Sequence, residues 1–203
     1  MAATVACLFY PEVDLQRRSV GYYRTAMETA SALQHPIPVT AAFGARSLGR
    51  VLAGGLIAGA LDLTFAFVFY GAQGAPPLRI LQFIASGVLS RGSFEMGLMS
   101  ATLGAFFHIF ISVCAAGIYY AVSLRFPFLT RRVVVAGAIF GVLMFLAMRF
   151  VVVPLSAINP KPMKVGAIIG ELCSHVFLFG MVIAYASSRA VHHIRSSGTT
   201  NSL

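Results

Sequence analysis

An all-α membrane protein, four transmembrane helices in a bundle with one short interfacial or re-entrant helix, is the fold class this sequence predicts. Three observations lead there. Hydrophobic residues make up 58% of the chain and charged residues 10%. A soluble domain carries about 25% charged residues, so a chain this poor in charge cannot cover a surface that faces water. Four apolar stretches are each long enough, at about 1.5 Å per residue, to cross a ~30 Å hydrocarbon core. Between them lie arginines, distributed unequally over the two sides as in proteins oriented by the positive-inside rule.

Residues 1–46 read as a weakly ordered cytoplasmic tail. A short helix is expected over Arg24–Gln34, broken by His35-Pro36-Ile37-Pro38, because proline removes a backbone donor and crowds the preceding turn. The membrane domain spans 47–190, with a polar cytoplasmic tail at 191–203. Within it the first span covers about 51–71 and ends at Gln73–Pro77. Residues 78–91 are too short to cross, and Arg79, Gln82, Ser86 and Ser90 recur every three or four positions as one polar stripe. That pattern predicts a helix lying at the membrane surface. The second span, about 97–124, and the third, about 132–157, are joined by the short loop 125–131 and should form an antiparallel hairpin. Asn159-Pro160-Lys161-Pro162 closes the third. The fourth runs over about 165–188.

An even number of spans puts both termini on one side, with Arg17, Arg18, Arg24, Arg46, Arg50, Arg125, Arg131, Arg132, Arg189 and Arg195. The other side holds Arg79, Arg91, Lys161 and Lys164. Both termini are therefore expected in the cytoplasm. The formal net charge of +9 serves this orientation; no nucleic-acid motif accompanies it. Cys7, Cys114 and Cys173 are odd in number and widely spaced, which fits neither a disulfide framework nor a metal site.

Between lipid-facing helices, small residues that let backbones approach drive pairing. Three spans carry GxxxG: Gly55–Gly59, Gly137–Gly141 and Gly166–Gly170. The second span has a stripe of Ala101, Gly104, Ala105, His108, Ser112 and Ala115. GxxxG serves either homodimers or packing within the chain; the latter is expected here.

Five ionisable residues fall inside the spans: Asp62, His108, Arg149, Glu171 and His175. A charge at the bilayer centre costs about 2.5–3.5 kcal/mol on insertion scales, so such residues should face the bundle interior and find partners. Counted from the non-cytoplasmic ends at the helical rise, Glu171 lies about 9 Å deep, Arg149 about 12 Å, Asp62 about 14 Å, His175 about 15 Å and His108 about 16 Å. All five thus share one layer. Matching depth pairs Arg149 with Glu171 as a bidentate ion pair, which leaves Asp62 to orient His108 or His175.

The runs AGGLIAGALDLTFAFVFYG, PPLRILQFIASGVLSRGSFEMG, HIFISVCAAGIYYAVSLRFPFLT and VVVPLSAINP resemble an uncharacterised family of bacterial inner-membrane proteins. More distantly, the His108 helix ending in Tyr-Tyr and Phe-Pro, the Pro154-Leu155 helix end and Glu171-x-x-x-His175 look similar to YagU-type membrane proteins. The resemblance covers about residues 50–190. It implies four spans and a bacterial cytoplasmic membrane, and no substrate or reaction. In that pattern a polar amide usually stands where this chain has Arg149, so the resemblance does not extend to an Arg149–Glu171 pair.

The expected role is that of a structural or accessory membrane protein, its polar layer clamping helix register. The second reading is proton- or ion-linked transport through that layer, since histidine–carboxylate chains carry protons. The third, a metal-dependent membrane enzyme using His108, His175 and a carboxylate, lacks an HExxH motif. No GxSxG, P-loop or dinucleotide fingerprint is present, so no catalysis, cofactor or resident metal is expected. The expected partner is the lipid bilayer and not nucleic acid; under the transport reading a second copy of the chain is expected as well, because the chain is small and shows no internal repeat.

Overall fold

The computed structural model describes Gly21, Tyr23, Arg24, Met27 and residues 44–155, 157 and 164–200. The expected tail helix over 24–34 and the Asn159–Pro162 stop lie outside the described residues apart from Arg24 and Met27. Residues 38–203 form a unit of their own.

In that unit, α1 (Ala45–Gly71) is followed by α2 (Pro77–Leu89), a 3-10 turn (Ser90–Phe94) and α3 (Gly97–Arg125). A short α4 (Phe128–Arg131) leads into α5 (Val133–Leu155). The last helix, α6, begins at Val165 and runs through Thr200. Among the described residues there is no strand. The helices α1, α3, α5 and α6 are long and apolar enough to cross a membrane, with mean hydropathies of 1.9–2.3. Their outer faces carry Leu56, Ile57, Phe106, Phe110, Ile139 and Leu143, all exposed. This is the architecture of a multi-pass membrane protein.

Small residues set the packing. Helix α1 is wedged between α3 and α6. A methyl group at Gly55 would stand 2.8 Å from the Val113 Cα on α3, and one at Gly59 would stand 2.9 Å from Ser112 Cβ. Gly54, on the neighbouring face, meets Ala186 of α6. On α5, Gly137 approaches Met181 Cα and Gly141 lies directly against the His175 backbone; Gly180 answers from α6 against both. Two of the three GxxxG motifs therefore pack within the chain. In the third, Gly170 meets the Phe69 ring, but Gly166 has nothing within 4 Å. It lies one helical turn before Gly170 and packs on none of the described residues.

Several elements depart from the sequence expectation. The polar stripe of α2 turns inward: Gln82 and Ser86 are 1% and 0% exposed. Gln82 Nε2 donates to the Gly97 carbonyl at 3.1 Å, and the α2 backbone at Leu81 and Ala85 crosses α3 at Gly104. The stripe meets backbone carbonyls instead of water: Gln82 reaches that of Gly97 at the start of α3, and Ser86 donates to that of Phe83 in its own helix. Helix α6 continues past 188, and Val191 and Ile194 are buried, so the expected tail begins as a packed helix. Tyr119 and Tyr120, which fit an interfacial belt by position, are each 3% exposed; Tyr119 donates to the Leu129 carbonyl at 3.1 Å. Cys114 and Cys173 are free and lie on exposed faces.

Two of the long helices are interrupted by π-helical turns, Met148–Val152 in α5 and His175–Gly180 in α6. Such turns cluster at functional sites. Here one contains Arg149 and the other begins with His175.

Candidate functional site

Asp62 comes from the buried edge of α1, one turn past Gly59. Helix α6 runs antiparallel to α1, which brings Ser174 and His175 to the level of Asp62 and Glu171 to the level of Tyr70. Ser174 Oγ donates to Asp62 Oδ1 at 2.5 Å. His175 Nδ1 is 3.9 Å from Asp62 Oδ1 and His108 Nε2, from α3, is 3.8 Å from Oδ2. Both imidazole nitrogens also donate to backbone, His108 Nε2 to the Gly59 carbonyl at 3.0 Å and His175 Nδ1 to the Glu171 carbonyl at 2.9 Å. A carbonyl oxygen only accepts, so each of these nitrogens carries a proton and gives it to the backbone, with the carboxylate close by but beyond hydrogen-bond distance. One turn away, Ser112 Oγ donates to the Gly55 carbonyl at 2.6 Å. Helices α1, α3 and α6 are thus joined by polar contacts beside their glycine contacts.

The expected ion pair is not formed. No contact within 4.0 Å joins Arg149 to Glu171. Glu171 Oε1 instead accepts from the Tyr70 hydroxyl. Arg149 has no hydrogen-bond or ion-pair partner among the described residues. Depth along a helix fixes the height of a side chain and leaves its direction open. The π turn at 148–152 also breaks the regular rotation on which any prediction of direction rests.

What unites the layer is a cavity of about 540 Å³, half-enclosed and lined by Asp62, His108, Arg149, Glu171 and His175 together with Tyr70, Arg79, Ser112 and Ser174. All five ionisable residues singled out in the spans therefore face one space. Its remaining walls are apolar: Phe65 and Ala66 of α1, Ile80, Phe83 and Ile84 of α2, Phe94 of the turn, Met144, Phe145 and Met148 of α5, and Phe179 of α6. The His175 ring packs edge-on to Phe145 and tilted against Phe179, with centroids 6.0 and 5.8 Å away. At the α2 wall, Arg79 donates to the Phe94 carbonyl at 3.1 Å and lies 5.7 Å from the Phe94 ring centroid.

Compared with protein-family models, with curated proteins and with solved structures, the chain matches none. Among the described residues, no three His, Cys, Asp or Glu side chains converge as a metal-ligand set. The nitrogens of His108 and His175 nearest Asp62 are donors to carbonyls, so they offer no lone pair to a cation there.

Sequence reasoning missed Tyr70 and Ser174. Both are neutral and carry no desolvation penalty large enough to stand out in an apolar span. A signal for Ser174 was nonetheless present: it lies at the depth of Asp62 and next to His175, where a carboxylate needs a donor.

Proposed function

We propose that this chain is a non-enzymatic multi-pass membrane protein that admits a small solute to its central cavity, in proton- or ion-linked binding or transport. One observation carries this reading. Five ionisable side chains from four helices line a single half-enclosed cavity, and two of them of opposite charge, Arg149 and Glu171, form no ion pair. A layer held only for helix register would be paired and closed. The Asp62 contacts with Ser174, His108 and His175 support a structural role for that half of the layer, and the histidine–carboxylate arrangement is also one that exchanges protons.

The arginine distribution supports a topology with both termini cytoplasmic. The bacterial inner membrane, the kinship with YagU-type proteins and a homo-oligomeric state belong to the same proposal, in which the bilayer is the standing partner and nucleic acid is none.

Water access tests it. With Cys7, Cys114 and Cys173 replaced by serine, Ala66→Cys on the cavity wall should react with a membrane-impermeant thiol reagent, since only a hydrated thiolate reacts. Leu61→Cys, on an exposed apolar face of the same helix, should stay unlabelled. If Ala66→Cys and Ile111→Cys both resist the reagent from either side of the membrane, the layer is sealed and the structural role stands alone.

A further inference from the structure

The ligand class can be read from which charges in the cavity are already met. Asp62 accepts from Ser174 and has two imidazole rings within 4 Å. Glu171 accepts from Tyr70. Arg79 is engaged by the Phe94 carbonyl, by Gln82 and by the Phe94 ring. Arg149 alone among these four charged groups has no protein partner among the described residues, and it lines the cavity wall. The charged group left without a hydrogen-bond partner is therefore a cation. A guanidinium offers a planar fork of donors that suits a carboxylate or a phosphate.

The rest of the cavity selects for an apolar body. Its lining is mainly apolar and includes Phe65, Phe83, Phe145, Phe179 and Met148, and flexible methionine beside aromatic rings adapts to varied apolar shapes. At about 540 Å³ the space lies in the range of sites for organic ligands, about 300–1,000 Å³, and is far larger than a small inorganic anion would need. From this geometry we infer that the cavity binds an amphipathic monoanion, its carboxylate or phosphate head on Arg149 and its apolar body against the phenylalanine walls. The inference rests on the reading of the cavity as an open binding site. Two sources share the chemistry: a free fatty or aryl carboxylate, and an anionic lipid entering from the bilayer.

The test uses the full chain in nanodiscs of a zwitterionic lipid, titrated with radiolabelled dodecanoate and, separately, with dodecanol as the neutral counterpart. Dodecanoate should bind saturably, at least tenfold more weakly to Arg149→Gln and nearly as well to Arg149→Lys, while dodecanol is indifferent to both changes. Ala66→Trp, which fills the cavity and leaves Arg149 in place, should abolish dodecanoate binding and provides a second route should Arg149→Gln fail to fold. Repeating the titration in discs containing phosphatidylglycerol separates the sources: competition by that lipid, seen in the parent chain and in Arg149→Lys alike, assigns a bilayer lipid, and its absence assigns a free carboxylate. Equal binding of dodecanol, or dodecanoate binding that neither variant changes, overturns the anion assignment. If Ala66→Cys is labelled by the impermeant reagent while dodecanoate does not bind, the open cavity stands and the ligand class is wrong. If neither labelling nor binding occurs, both fall together.

Discussion

Asp62 and Arg149 are both charged side chains on apolar helices at nearly the same depth, yet their surroundings differ. Asp62 is 9% exposed, emerges from a helix edge pressed against two others, accepts from a hydroxyl and has two imidazole rings within 4 Å. Arg149 projects from a π-helical turn on α5, a helix that packs chiefly on α6, and it faces open cavity. The lesson is that a shared layer need not be a shared network. Where small residues bring three backbones together, the polar group becomes a fastening. Where the helix is peripheral, the same kind of charge is left available.

This contrast can be broken most directly by comparing single substitutions. Asp62→Ala removes the acceptor of Ser174 and the carboxylate lying between the two histidines, and should lower stability by about 3 kcal/mol, the scale of losing one partner of a buried charged hydrogen bond. Arg149→Gln should change stability by less than about 0.5 kcal/mol, as for residues without packing or bonding partners. Thermal unfolding of the purified protein in detergent reads both, and equal losses would erase the distinction. A finer measure is the double-mutant cycle. Asp62 with Ser174 should show a coupling of about 1 kcal/mol, above the ~0.6 kcal/mol mean of interhelical hydrogen bonds in membranes because the acceptor is charged. Arg149 with Glu171 should show a coupling indistinguishable from zero. The glycines offer a second contrast, which ends on the smallest effect. Gly141→Ala drives a methyl group into the His175 backbone and should cost about 1–3 kcal/mol. Gly166→Ala, with nothing within 4 Å, should leave the melting temperature unchanged.

Much of this was legible in the sequence because membranes make it so. Four spans follow from length and apolarity alone. The members of the polar layer were visible because charges are rare and costly in apolar helices, and all five indeed line one cavity. Partner choice was not legible. Helical rise supplies depth, but Arg149 and Glu171 match in depth and still do not meet. The α2 stripe lies at the predicted positions, yet periodicity does not say whether a polar face seeks water or the backbone of a neighbouring helix; Gln82 takes the latter, on the Gly97 carbonyl. GxxxG likewise marks where close approach is allowed, and Gly166 shows that allowance is not contact.

The π turn His175–Gly180 has a consequence for how α6 is to be read. A π-helical turn holds an added residue, so the stretches before and after it are out of phase. Had α6 been a continuous α-helix, the face of Ser174 would recur at Phe177 and Tyr185. Those side chains are 58% and 61% exposed, whereas Phe179 and Ile183 are buried. The helix therefore carries two reading frames, one that delivers Ser174 to Asp62 and another that delivers Ile183 and Val191 to the bundle. Any heptad count, alignment or designed insertion that runs through the turn without resetting at His175 will assign lipid-facing residues to the core.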